Sequence, residues 1–189
     1  LRISGGKARG ILLRINRAGN LRPAAEPLRQ RLFSSIAPLL PGAAILDLCA
    51  GTGAYGLEGI SRGATSVTFV EKDRKTIQNL KHNVQSVCKS AGFPSSSTQV
   101  EAREVLEFLK KGANQSYSLI FFDPPYPEIT SLSPPVFAKL REGGFLDKEG
   151  IVVMECPGEK NLEFEKWELI RSLGKEKRGS PVHRLYRPL

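Results

Sequence analysis

Residues 46–56 read LDLCAGTGAYG: an apolar run into Asp47, then glycines at positions 51, 53 and 56. This is G-x-G-x-x-G, set directly after a strand pattern and ahead of a helical one. In that context it commits the chain to a strand–turn–helix unit with a ligand site at the carboxyl end of the strand. Glycines suit such a turn because, lacking Cβ atoms, they let backbone amides approach a ligand and accept positive φ. The pattern alone fits two kinds of adenosine cofactor. In a nicotinamide or flavin enzyme the helix N-terminus meets pyrophosphate. S-adenosylmethionine carries no phosphate; there the methionine carboxylate takes N–H groups of the Ala50-Gly51-Thr52-Gly53 turn, while Asp47 binds the ammonium.

From Ala43 onward strand and helix patterns alternate. AAILDLC, SVTFVEKD, SSSTQVEA, YSLIFFDPPY and GIVVMEC read as five strands. YGLEGISRG, RKTIQNLKHNVQSVCKSAG and REVLEFLKKG are intervening helices, and a fourth lies around PPVFAKLREGG behind a proline-rich loop. KWELIRSLGKEKRG and PVHRLYRP close the chain as two more strands. Such alternation predicts an α/β fold, a doubly wound, mostly parallel seven-stranded sheet covered by helices on both faces. Ligands then bind beyond the strand carboxyl ends at the topological switch point. Three candidate sites fall there: the Asp47–Gly56 turn, Glu71 with Lys72, and Asp123-Pro124-Pro125-Tyr126. Glu71, 20 residues after Gly51, suits a grip on ribose hydroxyls. Glu104, with Glu101 as its rival, is placed to accept a hydrogen bond from an adenine amino group.

FFDPPY discriminates between the cofactors. Two prolines stiffen the backbone and remove N–H donors, so the Asp123 carboxylate and loop carbonyls can face a ligand while Tyr126 lies over a flat group. That set suits methyl transfer to an exocyclic amine, whose lone pair is delocalised into its ring. Accepting hydrogen bonds from both N–H groups favours pyramidalisation and aims the lone pair at a sulfonium methyl. Positioning and oriented dipoles supply the catalysis, with no metal or covalent nucleophile. Tyr126 would stack on a base withdrawn from its neighbours.

Charge points to the substrate. The formal net charge is +9, and residues 1–31 hold eight basic side chains against one acid, Glu26. LRISGG and ARGILLRI read as a short hairpin, and AAEPLRQRLFSSIAPLL as a helix with Leu28, Leu32, Phe33 and Ile36 on one face. Residues 1–41 are therefore expected to form a basic nucleic-acid-binding extension, with Arg2, Lys7, Arg9, Arg22 and Arg29 as its contacts to phosphate, and residues 42–189 the catalytic domain. No apolar run approaches a membrane span. Cys49, Cys88 and Cys156 form neither a disulfide framework nor a zinc knuckle, and Cys49 fits better as a small packed residue than as a nucleophile. His82 and His183 have no metal spacing.

LDLCAGTGAYGLEGISRGATSVTFVEKD with LIFFDPPY, after RISGGKARG and LRP, resembles the RsmD family of bacterial-type small-subunit ribosomal RNA guanine-N2 methyltransferases. The resemblance covers nearly the whole chain. It implies a Rossmann-like class I methyltransferase that uses S-adenosylmethionine on a guanine amine in ribosomal RNA or a partly assembled small subunit, acting as a monomer. The turn and Glu71 would hold the cofactor, and Asp123 through Tyr126 the base. The chain departs from the family at Ala24, Ala25 and Glu26, at Glu104 where an aspartate is usual, at Cys156, and in the loop Ser95-Ser96-Ser97. These departures, and a first residue that is not methionine, point to a divergent organellar member of chloroplast or mitochondrion; a bacterial one would be cytoplasmic. The alternatives are a DNA adenine-N6 or cytosine-N4 methyltransferase and a non-catalytic RNA-binding assembly factor.

Overall fold

The strands that carry the glycine turn and the acid-Pro-Pro-Tyr motif are apolar nearly throughout because both sheet faces are covered. In the computed structural model, which describes residues 1–15 and 25–189, these are β1 (Ala44–Leu48) and β4 (Tyr117–Phe122). With β2 (Ser66–Glu71), β3 (Thr98–Ala102) and β5 (Leu146–Pro157) they form the parallel part of a sheet. β7 (Pro181–Pro188) runs antiparallel between β5 and β6 (Trp167–Gly174). The order among the described residues is β3-β2-β1-β4-β5-β7-β6. The winding reverses between β1 and β4, so the switch point lies between the glycine turn and Asp123. This is the expected doubly wound sheet.

Alternate residues of each central strand feed separate cores. Ile45, Phe69, Phe121 and Val153 meet α2 (Ala54–Ser61) and α3 (Arg74–Ala91) on one face. Leu46, Val70, Phe122 and Met154 meet α4 (Val105–Leu109) and α5 (Ile129–Glu142) on the other. Caps place the helix ends: Asp73 accepts from Thr76 N at 2.7 Å to start α3, and Gly92 ends it in the left-handed region.

Two elements differ from the pattern reading. α5 starts at Ile129, ahead of the proline pair, so that Pro134 and Pro135 lie inside it. Burial of Ile129 and Ser133, with Ser133 Oγ donating to the Ile129 carbonyl at 2.5 Å, holds the extra turn that the prolines alone would disfavour. β5 begins at Leu146, pairing with Tyr117 before a register shift toward Leu119; that irregularity hides its first residues from a period-2 reading.

The hairpin expected at the amino end is short: one antiparallel bridge, Arg2↔Leu12, flanked by Ile3 N donating to Ile11 O (3.0 Å), Gly10 N to Ile3 O (2.9 Å) and Leu13 N to Leu1 O (3.0 Å). The segment is laid down on the core of the α/β domain. Ile3, Ala8 and Leu13 are buried in it. Ser4 donates from N and Oγ to the buried Glu58 carboxylate (2.8 and 2.7 Å), which also holds Arg62. Lys7 N and Ala8 N donate to the Ser61 carbonyl and hydroxyl. Further along, Asn83 clasps Arg14 through both backbone groups and donates to the Thr52 carbonyl, tying the segment to the glycine turn. α1 (Ala25–Ser35) buries Leu28, Leu32 and Phe33, with Ile36 following, on the predicted face. Arg22 and its neighbours Leu21 and Pro23 lie outside the described residues.

Candidate active site

The turn after β1 is held from behind. Asp47 is buried, and its Oδ2 accepts from Gly56 N at 2.9 Å, fixing the start of α2. Burial raises its carboxyl pKa to about 8, against the smaller lowering effect of the Gly56 bond. Asp47 therefore braces the turn and is not among the residues that line the cleft. Gly53 caps α2 at φ 80°, and a Cβ there would lie 2.5 Å from Leu80 Cδ1. A Cβ on Gly56 would lie 2.5 Å from Phe69 Cε1, so the third glycine serves close packing of helix on sheet. Ala50 and Gly53 shape the turn from beneath; Gly51, Thr52 and Ala54 form its cleft-facing surface.

That surface opens on a cavity of ≈ 630 Å³ between the ends of β1, β2, β3, β4 and β5, inside the range of about 300–1,000 Å³ usual for small-molecule sites. Glu71 stands at its edge. It accepts from Gly51 N (2.8 Å) through one oxygen and from Lys72 N and Asp73 N (2.8 and 2.9 Å) through the other. Lys72 pairs with Glu128 across the cleft at 3.4 Å. Glu104 lines the cleft while capping α4, with Oε2 accepting from Leu106 N (2.7 Å) and Glu107 N (3.2 Å). Its rival Glu101 pairs with Arg103 at 2.8 Å and lies outside the lining.

The opposite wall is Asp123, Pro124, Pro125 and Tyr126 at the end of β4, so the three strand-end motifs meet in one cavity. Asp123 N donates to Leu48 O at 3.4 Å, tying the motif back to β1. Arg29 of α1 is buried in the same wall, its Nη2 on the Arg2 carbonyl at 2.8 Å and its Nε without a hydrogen-bond partner among the described residues. It thus faces the cleft, whereas Arg2, Lys7 and Arg9 are on the outer surface and Arg2 pairs with Glu26 at 3.6 Å. Cys49 also lines the cleft. Burial, with Glu71 and Asp123 nearby, pushes its thiol well above the ordinary range, which disfavours the thiolate.

Glu155, Tyr55 and His183 carried no assignment from sequence. Glu155 on β5 lines the cavity; Tyr55 donates to its Oε2 at 2.6 Å and Tyr126 to its Oε1 at 3.4 Å. His183 on β7 places Nε2 2.7 Å from the Tyr55 hydroxyl. The available signal was an acid interrupting the apolar run IVVMEC at the end of a strand next to β4.

Six carboxylate side chains, Glu26, Glu71, Glu104, Asp123, Glu128 and Glu155, line the cavity among the described residues, against three cations, Arg29, Lys72 and Arg103. A cleft this acidic in a protein of net charge +9 repels a pyrophosphate and attracts ammonium, sulfonium and N–H donors. The residues present fit S-adenosylmethionine: a glycine turn with a helix N-terminus for a carboxylate, acids for cations and a ribose, and sufficient volume. They do not favour a dinucleotide, and the nicotinamide reading of the glycine fingerprint is set aside. Among the described residues no group of three or more His, Cys, Asp or Glu is placed to hold a metal ion, and no helix is long and apolar enough to cross a membrane.

Sheet order, glycine turn and the acid-Pro-Pro-aromatic wall together define a class I methyltransferase fold. A family model described as Conserved hypothetical protein 95 matches residues 1–187. The ribosomal RNA small subunit methyltransferase D of Haemophilus influenzae is 31% identical over 98% of this chain and 93% of its own length. That of Escherichia coli K12 is 32% identical over 98% and 89%. A solved Escherichia coli structure, described as a candidate methyltransferase, superposes with a TM-score of 0.82 at 29% identity, covering 100% of this chain and 97% of that one. The chain belongs to the ribosomal RNA small subunit methyltransferase D family.

Proposed function

We propose that the protein transfers a methyl group from S-adenosylmethionine to the exocyclic N2 amine of a guanine in small-subunit ribosomal RNA. The observation that carries this reading is the Asp123–Tyr126 wall facing the glycine turn across a single acid-lined cleft. Bound there, S-adenosylmethionine supplies a methyl on a cationic sulfur, and the electrons of that bond return to sulfur as the methyl leaves. The Asp123 carboxylate and the Pro124 carbonyl accept the two N–H bonds of the amine, turning its lone pair out of the ring plane. The new N–C bond forms with that pair, and the surplus proton departs along the hydrogen bond to Asp123. Tyr126 stacks on the base and Glu71 holds ribose hydroxyls. Glu104 reaches the adenine amine through whichever lone pairs its capping bonds leave open; a carboxylate has about four.

The outer face of residues 1–15 is the grip on RNA. Lys7 and Arg9 are exposed there and stand on a segment fastened to α2 and α3, so their charge is presented from a fixed position. Replacing both with glutamine is expected to weaken RNA binding and flatten its salt dependence, lowering the slope of log K against log salt by about 1.4 if each contacts one phosphate of a single strand. Binding isotherms over a salt series measure this, and an unchanged slope rejects the arm as the grip.

The protein works as a monomer, in the compartment where small ribosomal subunits of bacterial type are made. The direct experiment incubates it with tritiated S-adenosylmethionine and either under-methylated small subunits or their naked RNA, then maps the methylated nucleotide by mass spectrometry. Label on a guanine N2 is the expected result. Label in duplex DNA with none in ribosomal RNA would reverse the substrate, and the absence of any transfer would favour a binding role in subunit assembly.

A further inference from the structure

We infer that Glu155 reads the target base, selecting guanine by accepting its N1–H. The inference rests on the guanine-N2 reading above and adds the residue that chooses the base. β5 lies beside β4 with Phe122 opposite Met154. One residue further along each strand come Asp123 and Glu155, so two carboxylates stand side by side at the base-holding end of the cleft, and both line it. Their joint presence is felt at the Tyr55 hydroxyl, whose pKa is raised first by burial and then by Glu155 and Asp123, with Arg29 acting in the opposite sense.

Glu155 is built into position. Tyr55 donates to Oε2 at 2.6 Å, and His183 backs both the tyrosine hydroxyl (2.7 Å) and the same carboxylate oxygen (3.4 Å). Tyr126, the aromatic of the wall, donates to Oε1 at 3.4 Å. The ring that stacks on the base and the carboxylate that meets its edge are thus bonded to each other. A carboxylate offers about four lone-pair sites, so these protein bonds are compatible with accepting one more N–H from a ligand.

The chemistry of the bases supplies the rest. Guanine carries N1–H and the 2-amine next to each other, two neighbouring donors, and two adjacent carboxylates complement them: Asp123 on the amine, Glu155 on N1–H. Adenine flanks its 6-amine with N1, and cytosine flanks its 4-amine with N3; both are acceptors. Either base would direct a lone pair at the Glu155 carboxylate. An acid-Pro-Pro-aromatic wall by itself can serve all three amines, and the second carboxylate removes two of them.

The test replaces the mapped guanine by 2,6-diaminopurine, ligated into the RNA and presented in whichever form, naked or assembled, supports transfer. The analogue keeps the 2-amine and turns N1 into an acceptor. Wild-type protein is expected to lose roughly a hundredfold in kcat/KM on the analogue. In Glu155→Gln the carboxamide can donate to that N1, so the guanine-to-analogue ratio should fall toward one or invert, even as guanine activity drops. A purely structural role would lower both substrates together and leave the ratio unchanged, which would overturn the inference. So would wild-type protein that accepts the analogue as well as guanine, a comparison that needs no variant to fold. If mapping places no methyl on a guanine amine, it is the functional reading itself that fails, before the analogue is made.

Discussion

Asp123→Ala is expected to bind S-adenosylmethionine nearly as tightly as the unaltered protein and to transfer methyl groups at least about a hundredfold more slowly, within the roughly 10²–10³ range for removing one oriented group that acts on the transition state. The site divides so that the two readouts separate. The turn and the ends of β2 and β3 form one side of the cleft, and the Asp123–Tyr126 wall forms the other. The strand end keeps its backbone tie, Asp123 N to Leu48 O, when the side chain is truncated. Asp123→Asn should fall between, since its amide oxygen still accepts one N–H but without charge. Calorimetric cofactor binding alongside single-turnover transfer measures both quantities. A near-normal rate in the alanine variant would refute the mechanism, and a large loss of cofactor affinity would place Asp123 on the other side of the cleft.

The parts legible in sequence were those in which one residue type has one physical use. Glycines at 51, 53 and 56 announced a strand-to-helix turn, and the apolar runs at 43–46, 119–122 and 151–154 announced strands covered on both faces. Strand order then brought Glu71 and Asp123 to the same cleft as the turn. The glycine pattern could not name the cofactor, because it reports a tight turn and not the charge of what binds there. The tetrapeptide Asp123–Tyr126 named it in sequence, and the acidic lining that supports the choice is a property of assembly in space. Glu155 was hidden for the same reason: it needs β4 as its neighbour and Tyr55, a hundred residues away, as its donor. Arg29 reads as one more basic residue of a charged segment until α1 turns it inward. The first 15 residues read as a hairpin because alternation and glycines dominate there, and their arms do pair; what sequence did not show is that other backbone groups of the segment go to Glu58, Ser61 and Asn83, polar residues buried on helices.

Asp47 carries the second large expectation, in stability rather than rate. Its carboxyl is raised from 3.8 to about 8 by burial, so in the folded protein it holds a proton that the unfolded chain releases near pH 4. Between those two values the unfolded state binds fewer protons than the folded one. Stability from this group is therefore fully present below about pH 4, declines as pH rises, and stops declining above about pH 8. The slope approaches about 1.4 kcal/mol per pH unit, roughly 5–6 kcal/mol across the window. Asp47→Asn keeps an oxygen to accept from Gly56 N and cannot ionise. It buries amide hydrogens where Oδ1 has no hydrogen-bond partner among the described residues, a pH-independent cost of about 1–3 kcal/mol. The variant should thus start less stable than the unaltered protein near pH 4, gain on it steadily, overtake it, and run parallel beyond pH 8. Denaturant melts of the pair across pH 4–9 measure the difference, in which titrating groups not coupled to Asp47 cancel. Parallel curves throughout would mean that Asp47 is ionised in the fold, and that the turn is braced by a charge instead of a neutral acid.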